Sequence, residues 1–301
     1  MSQKTIAEVV KQGKILVSDG AWGTLLQQKG LKAGECPELW CIDNPADVQE
    51  IAANFLKAGA DMVQTNSFGG SSFKLAHYGL AHRVSEINEA AARLSCEAVK
   101  DVCGDCDDKW VIASIGPTGE IILPGDDIDE IYAAFKEQAI ALERGGADAT
   151  CIETMSSLDE AVAAIQGVRD NTALEIICTF TFEKTTRGDY RTMMGLSPED
   201  AIMGAISAGA DIVGANCGNG IERMIEVVAA IRAVNKTVPI LVHANAGLPQ
   251  NIGGVTVFPE TPEDTAKFVA DLINVGANII GGCCGMTASH ISAIAAEAKK
   301  R

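Results

Sequence analysis

Three cysteines, Cys217, Cys283 and Cys284, have the residue type and spacing from which a metal centre can be built. Cys217 lies in Ala-Asn-Cys-Gly, and the other two are adjacent in Gly-Gly-Cys-Cys-Gly. Each run closes a short apolar segment typical of a buried parallel strand, so the thiols can converge at the strand ends. Three thiolates without a fourth protein ligand describe a zinc site with an open coordination position. For Cys217 taken singly, a role as a small core residue is equally open.

The chemistry of such a centre favours sulfur over water as the incoming ligand. A zinc ion held by three thiolates carries a net charge of about −1, so it is a weak Lewis acid for water but binds a further thiol well. Coordination deprotonates that thiol, which makes it a nucleophile at neutral pH. The pattern therefore predicts attack of a bound thiol on an activated alkyl group.

Eight short apolar segments alternate with eight stretches of helical periodicity, which predicts strand–helix repeats and parallel pairing. The predicted strands are Ile15–Trp22, Asp61–Phe68, Lys109–Gly116, Thr150–Met155, Leu174–Phe182, Asp211–Gly218, Pro239–Ala246 and Asn278–Gly285. The predicted helices are Asp47–Ala58, Val84–Val102, Ile128–Glu143, Leu158–Arg169, Pro198–Ala208, Ile221–Val234, Pro262–Val275 and Thr287–Lys300.

A weak internal repeat lies at the start of every second predicted strand. Gly-Ala-Asp begins at Gly59, Gly146 and Gly209, and Gly-Ala-Asn begins at Gly276. Eight strand–helix units, with this repeat in every second unit, predict that residues 1–301 form a single α/β domain, a (β/α)8 TIM barrel. An open α/β sheet is the alternative fold.

Active sites of such barrels lie at the C-terminal ends of the strands. Asp19 and Glu153 end the first and fourth predicted strands, so both carboxylates face the same mouth. They can act as acid and base, or they can hold the ammonium group of an amino acid while the amides of Gly20 and Ala21 face its carboxylate. Binding is favoured, because a metal-held thiolate needs no general base. His243 also ends a strand, and we expect it to line the pocket rather than to bind the metal.

Composition restricts the partners and the compartment. The formal net charge of −16 leaves no basic face for nucleic acid. The N-terminus lacks an apolar signal segment, and no apolar run approaches the roughly 18 residues that cross a membrane. Ten cysteines without regular spacing do not resemble a secreted disulfide framework, so we expect a cytoplasmic protein. The pair Cys103 and Cys106 is interpreted as part of a solvated loop, although such a pair can also bind metal or form a disulfide.

Several runs of residues together resemble the homocysteine S-methyltransferases, and most of all the homocysteine-binding barrel of the cobalamin-dependent methionine synthases. The runs are Asp19-Gly-Ala-Trp-Gly-Thr, Gln64-Thr-Asn-Ser-Phe68, Ile115-Gly-Pro-Thr-Gly-Glu120, Glu153-Thr, Asn216-Cys217, Asn245-Ala-Gly-Leu-Pro249 and Gly281-Gly-Cys-Cys-Gly285. The resemblance extends from about Lys14 to the C-terminus. It implies a zinc-dependent (β/α)8 barrel that binds homocysteine through its thiol.

The resemblance also implies roles for individual residues. Cys217, Cys283 and Cys284 match the zinc ligands. Asp19, with the amides of Gly20 and Ala21, and Glu153 match positions that hold the amino-acid end of the substrate. Asn216 and Asn245 match pocket positions.

The methyl donor is left open by the resemblance. Betaine-using relatives cage a quaternary ammonium with aromatic residues, whereas this chain has Cys36, Gly69 and Thr154 at those places. A chain that ends at Arg301 is expected to lack the folate, cobalamin and reactivation domains of full methionine synthase. Methylcobalamin on a separate corrinoid protein is one donor, and S-methylmethionine or S-adenosylmethionine is another.

Two other functions stay open. The barrel can instead demethylate a methylated substrate onto a separate corrinoid protein, or it can be a non-catalytic thiol- or zinc-binding subunit. The segment Glu183–Gly195 after the fifth strand is interpreted as a loop that docks a partner or closes over substrate, with an ordinary exposed loop as the alternative.

Overall fold

The eight predicted strands pair in one parallel sheet in a computed structural model, which describes residues 4–104, 106–122, 128–253 and 255–300. They are β1 (Leu16–Val17), β2 (Met62–Gln64), β3 (Trp110–Ile115), β4 (Ala149–Met155), β5 (Glu175–Phe180), β8 (Ile212–Gly220), β9 (Ile240–Asn245) and β12 (Ile279–Gly282). Their order is β1-β12-β9-β8-β5-β4-β3-β2, so β1 and β2 meet as the sheet closes. The prediction of a (β/α)8 TIM barrel is confirmed.

The eight predicted helices are also confirmed, most of them to within two residues at each end. They are α4 (Pro45–Lys57), α6 (Val84–Cys103), α7 (Asp129–Arg144), α8 (Leu158–Arg169), α9 (Pro198–Ala208), α10 (Ile221–Val234), α11 (Pro262–Val275) and α12 (Ala288–Ala298). In the described part of the chain, no helix combines the length and the apolar character needed to cross a membrane.

Several short elements lie outside these predictions. The helices are α1 (Ile6–Lys11), α2 (Gly23–Lys29), α3 (Trp40–Asp43) and α5 (Ser72–Ala76), with a 3-10 turn at Ala81–Arg83. Two antiparallel hairpins join β6 (Glu183–Lys184) to β7 (Tyr190–Arg191) and β10 (Gln250–Ile252) to β11 (Val255–Val257). The segment Glu183–Gly195 therefore contains a hairpin, and its function stays a prediction.

The barrel interior is apolar at its lower end and polar at its mouth. One buried cluster combines inward-facing strand residues such as Met62, Ile112 and Leu241 with the apolar face of α1, so α1 closes the lower end. Because strand side chains alternate with a period of two, the inward positions nearer the mouth fall to polar residues. Gln64 follows Met62 in this way, and Ser114 follows Ile112.

The Gly-Ala-Asp repeat has a structural role at the lower end. The four glycines have φ between 102° and 119°, the left-handed conformation that ends each preceding helix. The following Asp or Asn then bonds twice to one residue of the preceding strand, through its own amide and through its side-chain oxygen. The pairs are Asp61 with Val17, Asp148 with Val111, Asp211 with Ile176 and Asn278 with Ile240.

Aspartates also bridge the junction between β1 and β2. The Asp61 amide donates to the Val17 carbonyl at 2.7 Å, and the Val17 amide donates to the Asp61 carboxylate at 2.9 Å. Toward the mouth, the Gln64 amide donates to the Asp19 carboxylate at 2.7 Å. One backbone bond and two bonds to aspartate side chains thus join the two ends of the sheet.

The favoured interpretation of Cys103 and Cys106 as part of a solvated loop is wrong, and the alternative of a disulfide is found instead. Cys103 is the last residue of α6, and a disulfide joins it to Cys106. The Cα atoms are 5.8 Å apart, which lies within the usual range of about 4.4 to 6.8 Å for bonded cysteines. The end of the helix therefore brings together two thiols that the sequence placed in a turn.

The repeat predicts a specific pattern of stability changes at Asp148. Asp148→Ala leaves the Val111 amide without its side-chain acceptor and should lower the free energy of unfolding by about 1–3 kcal/mol. Asp148→Asn keeps that acceptor, as Asn278 does in the fourth repeat, and should leave the free energy of unfolding nearly unchanged. Urea unfolding of both variants measures this. Equal losses in the two variants would contradict the proposed role of the acceptor.

Candidate metal centre and adjoining pocket

The structure brings the three predicted cysteines together at the mouth of the barrel. Cys217 lies near the C-terminal end of β8, and Cys283 and Cys284 lie in the turn that follows β12. Their sulfur atoms all lie within 4.8 Å of one another, and those of Cys217 and Cys284 are 4.0 Å apart. All three are free thiols.

This spacing suits a tetrahedral metal. Sulfur atoms bound to zinc at about 2.3 Å are about 3.8 Å apart, close to the separation of Cys217 and Cys284. The three residues are half-buried, which leaves one side of the cluster open for a further ligand. The donor set can therefore hold a metal ion.

Backbone geometry fixes the two turns that carry the thiols. The Cys283 amide donates to the Ala244 carbonyl at 2.7 Å, and the Cys284 amide donates to Asn245 Oδ1 at 3.1 Å. A Cβ on Gly282 would lie 2.3 Å from Met286 Cβ, and one on Gly285 would lie 2.4 Å from Phe258 Cβ. The glycines that flank the cysteine pair are thus required for close packing.

The thiols share their ionisation. Hydrogen bonds from Cys283 and Cys284 hold the pKa of Cys217 well below its ordinary value. The same contact with Cys217 raises the pKa of Cys284 to about 12, and it raises that of Cys283 further. The cluster therefore favours one thiolate stabilised by two thiols, and a cation would have to displace the two remaining protons.

A cavity of about 280 Å³ adjoins the three cysteines. Its walls include the aromatic rings of Trp22 and Phe68 and the carboxyl groups of Glu38 and Glu153. This size and this mixture of apolar surface with a few polar groups are typical of a small-molecule site. The cavity can hold a ligand that reaches both the sulfur cluster and a carboxylate.

Glu153 is the predicted carboxylate that faces this cavity. Its Oε1 accepts hydrogen bonds from Gln64 Nε2 at 2.7 Å and from Ser114 Oγ, and no cationic side chain pairs with it among the described residues. Burial raises its pKa to about 7. A bound ammonium group would complete its hydrogen bonding and offset the cost of its buried charge.

Asp19 is buried behind the wall rather than in it. Its carboxylate accepts from the Gln64 amide at 2.7 Å and from Trp22 Nε1 at 2.8 Å. Burial raises its pKa to about 7. Gly20 and Ala21 do line the cavity, but the Ala21 amide already donates to the Met286 carbonyl at 2.9 Å. The contacts of Asp19 therefore orient Trp22 and Gln64, and its predicted substrate contact stays a prediction.

The other predicted pocket residues are buried, and none of them lines the cavity. Asn245 accepts the Cys284 amide and hydrogen-bonds Cys217, so it supports the cysteine cluster. Asn216 bonds to Thr154 and Thr179 beside Glu153. His243 is 1% exposed, and its Nε2 has no hydrogen-bond partner among the described residues. Burial lowers the pKa of His243 to about 4, so the ring is neutral.

Other residues of the site were not singled out from the sequence. Ser114 bonds directly to Glu153, and the period-two alternation along β3 could have identified it as an inward residue at the mouth. Glu38 comes from an irregular segment, where periodicity gives no signal, whereas Phe68 ended the second predicted strand but lies beyond the end of β2. Glu38 accepts the Gly69 amide at 2.7 Å, a contact between distant segments that only the fold creates.

Comparison with known proteins agrees with the fold. The homocysteine S-methyltransferase family model matches residues 16–298. Methionine synthase from Mycobacterium tuberculosis is 31% identical over 97% of this chain, and that from Mycobacterium leprae is 29% identical over 94%. The chain spans only about a quarter of each of those proteins, 25% and 24%.

A solved structure shares the fold. The metallated form of the homocysteine methyltransferase MmuM from Escherichia coli superposes with a TM-score of 0.78 over 96% of this chain and 98% of that one. The sequences are 21% identical.

The cysteine cluster predicts one zinc ion per chain and its loss on removal of one ligand. Cys217→Ala should lower the zinc content of purified protein from about one to well below one per chain, measured by elemental analysis. Cys96→Ala, a half-buried cysteine outside the cluster, is the matched control and should keep its zinc. Full zinc content in the Cys217 variant would rule out this cluster as the site.

Proposed function

Because this chain belongs to the homocysteine S-methyltransferase family, we propose that it is a zinc-dependent enzyme that methylates the thiol of homocysteine. The observation that carries the proposal is the position of three convergent sulfurs beside a cavity lined by Glu153, a buried carboxylate that pairs with no cationic side chain among the described residues. A substrate with a thiol at one end and an ammonium group at the other matches those two features. Cys217, Cys283 and Cys284 would hold the metal.

Zinc, when bound, supplies positive charge that lowers the pKa of the substrate thiol and holds its thiolate. Glu153 binds the ammonium group, while Gln64 and Ser114 fix its carboxylate from behind. Trp22 and Phe68 cover the apolar chain of the substrate. The remaining substrate-binding and supporting residues that we propose are Asp19, Gly20, Ala21, Asn216, Asn245 and His243.

In the transfer itself the substrate thiol gives up its proton, and a sulfur electron pair forms the bond to the methyl carbon. The bond between that carbon and the donor breaks, and its electron pair leaves with the donor. Corrinoid and sulfonium donors both satisfy this balance, because each leaves with the electron pair. The cavity walls orient the substrate sulfur toward the mouth of the barrel, where the donor must approach.

A methyl group carried by methylcobalamin on a separate corrinoid protein is the first donor that we propose. The similarity to methionine synthases, which covers 97% of this chain, supports a donor of this kind. Eight of the ten cysteines are free thiols and two form the Cys103–Cys106 disulfide, and on this balance we place the protein in the cytoplasm.

A small sulfonium donor, S-methylmethionine or S-adenosylmethionine, is the second candidate. The aromatic rings of Trp22 and Phe68 in the cavity wall favour it, since ring faces attract a cationic methyl group. Betaine stays disfavoured, since Cys36, Gly69 and Thr154 offer no aromatic ring at the positions where the betaine-using relatives have them.

Zinc-loaded protein mixed with homocysteine and each donor in turn tests the proposal. Methionine formation, followed by mass spectrometry, identifies the donor that supports turnover. Methylation of a corrinoid by methylated substrates, without methionine formation, would instead support the reverse role. Zinc and homocysteine binding without turnover by any donor would support the non-catalytic subunit.

Glu153→Gln should raise the KM for homocysteine roughly 10- to 150-fold, because a charge-assisted hydrogen bond is lost. Its zinc content should not change. Asp148→Asn, at the opposite end of the barrel, is the matched control and should keep the normal KM. An unchanged KM in the Glu153 variant would exclude the ammonium contact.

Affinity for the product methionine should rise with pH around neutrality. The pKa of Glu153 is raised to about 7, so the carboxylate that binds ammonium forms as the pH rises through 7. Between pH 6 and pH 8 the ionised fraction increases about tenfold, and the affinity should follow. Methionine lacks a thiol, so calorimetry with it avoids titration of the substrate's own sulfur, and Glu153→Gln separates this carboxylate from Asp19. A flat profile in wild-type protein, or the same slope in Glu153→Gln, would contradict the assignment.

A further inference from the structure

Two non-glycine residues among those described have a left-handed backbone, and both line the cavity. Thr154 has φ of 62° at the end of β4, and Cys217 has φ of 59° near the end of β8. A β-branched residue in this conformation is a clear outlier, because its side chain crowds the backbone. Such strain persists only where the surroundings hold it.

Each strained residue coincides with a break in strand register. The pairing of β4 with β5 shifts between Ile152 and Met155, and that of β8 with β9 shifts between Asn216 and Gly220. In a regular strand, every second side chain points away from the barrel interior. Here the consecutive residues Glu153 and Thr154 both line the cavity, so the shift directs an additional side chain into the site.

The side chain of Asn216 connects the two irregular strand ends. It extends from β8 across β5, where Thr179 Oγ1 donates to its Oδ1 at 2.7 Å. The Thr154 amide donates to the same oxygen at 2.8 Å, and Asn216 Nδ2 donates to Thr154 Oγ1 at 2.8 Å. Its Nδ2 is also 3.5 Å from Glu153 Oε2. Asn216 is fully buried and adjoins Cys217 directly.

We infer that Asn216 is a positioning residue, which holds the left-handed backbone of Thr154 and thereby fixes Glu153 relative to Cys217. It acts through Thr154 and Glu153 rather than on the ligand, since it does not line the cavity. The distance between the carboxylate and the sulfur cluster sets the length of amino acid that can bind both. This role rests on the proposed function, because it assumes that the substrate contacts both groups.

An amide is the side chain that this position requires. Its oxygen accepts two hydrogen bonds while its nitrogen donates to the Thr154 hydroxyl. An aspartate would lose that donation and would place a second negative charge next to Glu153. An alanine would leave the Thr154 amide without its acceptor, which favours return of Thr154 to an extended backbone.

A double-mutant cycle tests the inference in the zinc-loaded protein. Asn216→Ala should weaken methionine binding at least about tenfold by calorimetry, because the carboxylate is displaced. Zinc content should stay at about one per chain, since Thr181 Oγ1 still anchors the residue 216 carbonyl at 2.9 Å. Glycine adopts positive φ without strain, so Asn216→Ala combined with Thr154→Gly should recover affinity to within about threefold of Thr154→Gly.

The cycle separates positioning from the alternatives. Failure of Thr154→Gly to restore binding would overturn the inference in favour of a direct ligand contact by Asn216. Normal binding by Asn216→Ala would overturn it as well. A role in stability only would lower the melting temperature without changing affinity, and would also refute it.

Two further measurements keep the test decisive. If Asn216→Ala does not fold, Thr179→Val removes one bond to Asn216 and should weaken binding a few-fold, again with rescue by Thr154→Gly.

If wild-type protein binds neither methionine nor homocysteine, the proposed function fails, and a crystal structure of the Asn216 variant decides the inference separately. Thr154 should then be extended, and an unchanged left-handed Thr154 would contradict the inference.

Discussion

The site depends on keeping three sulfur atoms within 4.8 Å of one another beside a buried carboxylate. Thiols and carboxylates in such proximity repel one another when ionised, so they stay together only if the backbone holds them. The structure meets this requirement with a left-handed Cys217, two close-packed glycines around the cysteine pair and Asn245 bonded to the Cys284 amide. Binding of a cation and a substrate offsets the free-energy cost of holding these groups close together.

The two ends of the barrel divide structural and chemical roles. At the lower end, Asp61, Asp148, Asp211 and Asn278 join alternate pairs of strands by the same pair of hydrogen bonds, and α1 covers the apolar interior. At the mouth, the strands end irregularly and the inward residues become polar. A repetitive lower end thus supports an upper end in which each strand contributes a different group.

Much of this was readable from the sequence, for reasons that particular residues make clear. Apolar runs and helical periodicity located all eight strands and eight helices, and the cysteines in Gly-rich strand ends located the sulfur cluster. The hydrogen bonds between Asn216 and Thr154 could not be predicted from the sequence, because they join β4 to β8, which are far apart along the chain. The position of Asp19 behind the wall likewise depends on a contact between segments that are distant in sequence. The disulfide between Cys103 and Cys106 was one of the alternatives that the sequence left open, and the sequence alone did not decide between them.

The central claim is that a metal held by these cysteines binds the substrate through sulfur. X-ray absorption at the zinc edge, recorded with and without homocysteine, tests this most directly. Three sulfur ligands should be seen in the free enzyme and four after homocysteine is added, with no such change in Cys217→Ala. A sulfur count that stays at three in the presence of bound homocysteine would contradict the account.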